Sequence, residues 1–258
     1  MRIALGIEYD GFAYNGWQKQ ETGIGIQSLV EEALSSVANH NVDSVCAGRT
    51  DAGVHATGQV VHCDVQSKRP MRSWLLGINS NLPDDINVCW VKRIHDDFHA
   101  RYSAISRTYA YLIINKSVRS SLFRRRAWWI NSPLDHNLMI TGGKHLLGDH
   151  DFSAFRAAGC QASSPVRDLQ EIQIKRKSDW IIITIKANAF LQRMVRNIVG
   201  VLVMIGSQKK PTDWSLEVLR SCNRETGGIS APAHGLTLIQ IDYQEELPTN
   251  KTSYFSFF

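Results

Sequence analysis

Apolar and polar positions alternate from the start of the chain. Ile3, Leu5, Ile7 and Tyr9 interleave with Ala4, Gly6 and Glu8, the period of two that a half-buried strand produces, and Asp10-Gly11 closes it as a turn. The period then lengthens. Ile26, Leu29, Val30, Ala33, Leu34 and Val37 recur at helical spacing and predict an amphipathic helix over 26–38. The Gly23-x-Gly25 pair ahead of it lacks the third glycine of a dinucleotide fingerprint and reads as a turn. Short strands are predicted around 44–49 and 58–65, a helix around 71–80 carrying Trp74, Leu75 and Ile78, and a strand over about 86–94 after the break at Leu82-Pro83-Asp84-Asp85. The order β-α-β-β-α-β matches the split βαβ unit of ferredoxin-like folds.

The second half repeats this order loosely. Residues 105–115 alternate and are rich in Tyr and Ile, a helix is expected over about 134–147, and strands at 167–177 and 180–187 flank a hairpin turn at Ser178-Asp179. Phe190, Leu191, Met194, Val195, Ile198, Leu202 and Ile205 predict a helix over about 190–206; a short helix near 213–221 precedes a last strand at 236–243. The expectation is an α+β protein of two ferredoxin-like (RRM-like) halves, residues 1–100 and 101–245, sharing a mostly antiparallel sheet with helices packed on one face. The junction is expected at 97–104. Residues 246–258 form a tail ending in Tyr254-Phe255-Ser256-Phe257-Phe258, either a disordered end or a docking peptide.

Composition narrows the class. The 258 residues are 43% hydrophobic and 21% charged, ordinary for a globular protein, and no apolar run approaches the roughly 18 residues that span a bilayer. The opening residues run straight into Glu8 and Asp10, so no signal peptide is expected. Five cysteines, an odd number and widely spaced, suit a reduced cytoplasmic protein without structural zinc. The net charge of +5 is mild, but its distribution says more. Lys68-Arg69 with Arg72, Arg124-Arg125-Arg126, Lys175-Arg176-Lys177 and Lys209-Lys210, taken with Arg49, Arg167, Arg193 and Arg196, suit a surface that tracks phosphates. Each cluster alone reads as a solvated loop or strand edge; it is their number that suits phosphates.

The most unusual segment is Gly48-Arg49-Thr50-Asp51-Ala52-Gly53-Val54-His55-Ala56. Glycines bracketing a charged centre permit tight turns and the close approach of another molecule. Asp51 is either a turn residue beside an arginine or a reactive carboxylate. It has no carboxylate companion in its segment, as two-metal nucleases and glycosidases require; a lone carboxylate suits a nucleophile, or a base assisted by a cation. A metal site is not expected: His95 and His99 lack the metalloprotease Glu, His145, His150 and Asp151 straddle a helix end, and no Cys-x-x-Cys occurs. Gly-x-Ser-x-Gly and Walker sequences are missing too. Arg196, among apolar neighbours on its helix, either snorkels to the surface or meets a carboxylate inside. Tyr109, on the strand over 105–115, belongs either to the core or to a stacking surface. These residues leave open a non-catalytic RNA-binding protein and a single-carboxylate hydrolase.

Five stretches resemble the tRNA pseudouridine synthase A family, over roughly residues 1 to 243. They are Tyr9-Asp10-Gly11 with Gly16-Trp17-Gln18-Lys19-Gln20; the Gly48–Ala56 segment, which looks like the family's catalytic sequence; Leu82–Ile86 followed by Phe98-His99-Ala100-Arg101-Tyr102-Ser103-Ala104 and Arg107-Thr108-Tyr109; Asp151-Phe152-Ser153-Ala154-Phe155-Arg156; and Phe190-Leu191 with Met194–Gly200 and Ala231–Leu236. Phe12 and Gln192 depart from the family's usual residues. The resemblance implies that Asp51 is the essential nucleophile or base, that Tyr109 packs against the target uracil, that Arg196 pairs with Asp51, and that Arg49 fills the space of a flipped-out base. It implies a homodimer that needs no cofactor and acts on tRNA, at uridines 38 to 40 of the anticodon stem-loop. The basic run Arg124-Arg125-Arg126 is then a candidate tRNA contact.

Overall fold

The structure, a computed structural model, describes residues 1–248; the aromatic end of the expected tail lies outside them. The chain is α+β with mostly antiparallel strands, and its described residues pack as two compact units, Met1–Ile105 with 238–248, and Ser106–Thr237. The sequence pattern assigns the whole last strand to the second half; from Leu238 the chain instead returns to the first unit.

In the first unit, β1 (Arg2–Tyr9), α1 (Ile26–Ala38), β2 (Ser44–Cys46), β3 (His55–Asp64), α2 (Met71–Asn79) and β4 (Ile86–Arg93) follow the predicted order. β1 lies between β3 and β4, antiparallel to both, with Leu5 opposite Val61 and Val91. Ile3, Ala4, Leu5 and Ile7 are all fully buried, so this strand is covered on both faces rather than half-buried. α1 buries Ile26, Val30, Ala33, Leu34 and Ala38, the i, i+4, i+7 stripe that its sequence predicts, and ends at Asn39, whose φ of 59° is a left-handed cap. Ala4, Ala47, Val60, Ile94, Phe98 and Ala100 form one core cluster, with Trp90, Ile241, Tyr243 and Leu247 packed against it.

The second unit contains most of β5 (Ala104–Asn115), then β6 (Trp128–Ile130), α3 (His136–Lys144), β7 (Gly148–Asp151), β8 (Val166–Lys177), β9 (Trp180–Ala187), α4 (Met194–Gly206) and α5 (Trp214–Ser221); β10 (Leu236–Tyr243) leads back. β5, β9, β8 and β7 lie side by side and antiparallel, while the short β6 runs parallel to β5. From Ser106 to Asn115 every residue of β5 is buried. Two expectations change. The helix predicted from 190 begins at Met194, because Arg193 takes a left-handed φ of 61° that no helix continues through. The helix predicted over 134–147 spans only His136–Lys144, opened by Asp135, whose carboxylate accepts from the amides of Asn137 and Leu138. The strands β6 and β7 are too short to show a period.

Candidate active site

Asp51 stands on the loop between β2 and β3, and the loop is clamped from several sides. On one side is the turn after β1. The Trp17 amide donates to the Thr50 carbonyl at 3.1 Å and the Gly53 amide to the Tyr14 carbonyl at 3.3 Å. The Tyr9 and Thr50 hydroxyls meet at 2.8 Å in a buried contact. Gly16, at φ +92°, passes so close that a Cβ there would lie 2.6 Å from the Thr50 carbonyl oxygen. On the other side, the fully buried Gln59 donates through Nε2 to the Gly48 carbonyl at 2.6 Å. The loop closes on itself where the Val54 amide donates to the Asp51 carbonyl at 3.1 Å, with Gly53 at φ +79°, the left-handed third position of a turn that glycine takes without strain. Thr50 therefore points inward, Arg49 is exposed and Asp51 is half-buried. The bonds named above hold the backbone on which Asp51 stands.

Tyr9→Phe takes away one partner of the buried hydroxyl pair and leaves Thr50, only 7% exposed, short of a hydrogen bond. The expected result is a stability loss of about 1–3 kcal/mol, read as a lower midpoint in a denaturant melt, while a surface change such as Tyr102→Phe leaves the midpoint where it is.

In the second unit Tyr109 lies on β5 opposite Ile185. It is 7% exposed and meets Phe190 edge-to-face at 5.1 Å. The ring is thus part of the buried interior. Arg196 is the third residue of α4. A cation in a first turn opposes the helix dipole at a cost of about 0.3–1 kcal/mol, so its position is not explained by the helix. It is held by the Ala231 segment: Nε donates to the Ala231 carbonyl at 2.7 Å, and the Arg196 carbonyl accepts from the Ala231 amide at 3.0 Å. One turn on, Gly200 admits this segment, since a Cβ there would lie 1.9 Å from the Ile229 carbonyl oxygen. The Arg196 charge is felt by the buried Tyr111 hydroxyl, whose pKa burial drives well above its ordinary value and Arg196 partly restores.

The basic run sits elsewhere on this unit. Phe123 packs edge-on against Trp180 at 4.7 Å and against Leu112, Ile114 and Ala127, which anchors Arg124 and Arg125 as exposed residues and Arg126 as a half-buried one. Trp180 is opposite Ile114, five residues along β5 from Tyr109, or roughly 17 Å at strand rise. The structure therefore separates the run from the Tyr109 end of the strand. The histidines that could suggest a metal are engaged singly: His145 with Asp213 at 3.3 Å, His150 with the Leu147 carbonyl at 2.8 Å, and His95 with Glu245 at 3.2 Å. Among the described residues no group of three or more His, Cys, Asp and Glu is arranged to hold a metal, and no helix is long and apolar enough to cross a membrane.

Sequence reasoning singles out the Asp51 loop but not the supporting role of Tyr9, Gly16, Trp17 and Gln59. Gly16-Trp17 carries a signal, a small residue next to a large one just after a strand; Gln59 in a strand carries none.

A family model described as tRNA pseudouridine synthase matches residues 6–103 and 143–244. A protein of Pseudoalteromonas atlantica called tRNA pseudouridine synthase A is 51% identical over 245 residues, 95% of this chain and 93% of its own length; one of Coxiella burnetii with the same name is 50% identical over 242 residues, 94% and 93% of the two chains. A solved structure titled as the archaeal box H/ACA sRNP Nop10-Cbf5 complex aligns with a TM-score of 0.37 and 9% identity, over 78% of this chain and 43% of that one.

Proposed function

The chain belongs to the tRNA pseudouridine synthase family, and from that membership, which makes it an isomerase of uridine in tRNA, we propose that it acts on uridines 38 to 40 of the anticodon stem-loop with Asp51 as nucleophile or base. The observation that carries the assignment of Asp51 is its loop, clamped through backbone and neighbouring side chains while its own carboxylate stays half-buried.

The reaction balances without an outside reagent. The N1–C1′ bond breaks, the uracil turns, C5–C1′ forms, and the proton on C5 leaves as N1 gains one. A carboxylate assists either by adding to the base or by acting at the sugar. It must be ionised although half-buried, and a cation nearby opposes the rise in pKa that burial causes; that is the role proposed for Arg196. A uracil in a stem leaves its stack before a side chain reaches it, at about a few kcal/mol. Tyr109 is proposed to stack on it, recovering about 1–3 kcal/mol, and Arg49 to take its place in the RNA helix. We further propose that the enzyme works as a homodimer and needs no cofactor.

The test is a tRNA transcript incubated with the purified chain, treated with carbodiimide and read by primer extension. Stops at 38, 39 or 40 are expected; stops confined to another arm would refute the site assignment. For the basic run, neutralising Arg124, Arg125 and Arg126 is expected to weaken tRNA binding and flatten its salt dependence, the log–log slope falling by about one for each phosphate no longer neutralised. Binding unchanged at every salt concentration removes the run from the interface.

A further inference from the structure

The 99–103 loop of the first unit presents an aromatic ring to solvent while being braced from beneath. Tyr102 is 76% exposed, far more than a ring of its size needs to be. It is not loose. His99 stacks on it at 4.3 Å with 31° between the planes, and the Arg101 guanidinium lies 5.5 Å from its centre. The His99 Nδ1 accepts from the Arg101 and Tyr102 amides at 3.2 and 3.1 Å. The Ser103 amide donates to the His99 carbonyl at 2.9 Å, and the Ser103 hydroxyl accepts from the His99 amide at 3.0 Å. Below, the buried Ala100 is gripped on both sides: its amide donates to His62 Nδ1 at 3.1 Å, and its carbonyl accepts from the Tyr243 hydroxyl at 2.7 Å. Burial, with Arg2 and His99 nearby, pushes the His62 pKa down to about 4, so its ring stays neutral and remains an acceptor at neutral pH.

Burial raises the Cys46 thiol to about 11, and the Arg49 and Arg101 guanidiniums both pull it back. Cys46, at the end of β2, is thus within electrostatic reach of both arginines. Ala47 and Ala100 share one core cluster.

We propose that Tyr102 and Arg101 form a preorganised RNA platform, on which an unpaired base of the tRNA stacks against the Tyr102 ring while Arg101 meets the flanking phosphate. An exposed ring beside a fixed cation is the chemistry that binds single-stranded bases irrespective of sequence. A rigid loop loses little entropy when it binds. Ala100 beneath it shares a core cluster with Ala47, two residues before Arg49, which suits a nucleotide unstacked near the target uridine. The platform rests on tRNA being the substrate.

The test compares tRNA binding and pseudouridine formation by the parent enzyme, Tyr102→Ala, Tyr102→Phe and Arg101→Gln. Tyr102→Ala is expected to weaken binding roughly five- to a hundredfold, the range of a lost base–aromatic stack, with the loss appearing in Kd and KM. Tyr102→Phe, which keeps the ring, restores parental binding, and Arg101→Gln lowers the salt slope by about one. The side chain of Tyr102 is exposed, so unchanged melts of the variants are expected and keep the comparison clean. Parental affinity in Tyr102→Ala, a loss confined to kcat, or equal losses in the Phe and Ala variants each overturn the platform. A parent enzyme that binds tRNA but forms no pseudouridine would count against the isomerase reading instead, leaving the binding comparison intact.

Discussion

Asp51→Asn is expected to lower the single-turnover rate of pseudouridine formation at least about a thousandfold while tRNA Kd stays within about twofold, because the change removes a group used in the transition state and not in binding. The amide matches the carboxylate in shape but has neither its charge nor its nucleophilicity. Bonds through the Thr50 and Asp51 carbonyls, the Val54 and Gly53 amides, the Thr50 hydroxyl and the Gly48 carbonyl hold the loop's backbone, and the substitution leaves these in place. The variant should therefore fold and bind as the parent does. A parallel loss of binding and rate would mean that the carboxylate organises the RNA surface; a retained rate would remove Asp51 from the chemistry.

The second large effect is expected at Gly16, a residue that packs against the Asp51 loop from another segment. Gly16→Ala places a Cβ 2.6 Å from the Thr50 carbonyl oxygen and 3.1 Å from the Ala52 amide, at a φ of +92°. The left-handed backbone alone costs about 1–3 kcal/mol, and the clash has to push the Asp51 loop away. A shift of about 1 Å in a reacting group lowers a rate on the order of a hundredfold. The control is Gly159→Ala, at φ +94° with nothing within 4 Å of the new Cβ. Both variants should melt earlier than the parent, but only Gly16→Ala should lose rate. Equal rates in the two would show that the loop does not depend on the clamp.

These two variants mark what the sequence shows and what it hides. The periods of α1 and β9 are visible because each buries apolar residues at a regular interval against its neighbours; that of β1 is visible in the sequence although both of its faces are covered. Asp51 stands out as a candidate because glycines frame a charged centre. The start of α4 is not: Phe190 and Leu191 continue its apolar pattern, and only the backbone at Arg193 shows that the helix has yet to begin. The clamp is hidden for a different reason. Tyr9, Gly16 and Gln59 reach the loop from separate segments, and nothing in their local spacing says that they meet. Tyr102 shows the same limit in reverse, since an aromatic residue between Arg101 and Ser103 reads as core or surface alike until its exposure is known.

The most direct measurement uses tRNA labelled with tritium at uracil C5. Forming C5–C1′ expels that hydrogen, so the account predicts tritium passing into water in step with pseudouridine, no free uracil at any time, and no release from Asp51→Asn. Free uracil in the supernatant, or label lost at the parental rate from the Asn variant, would contradict it.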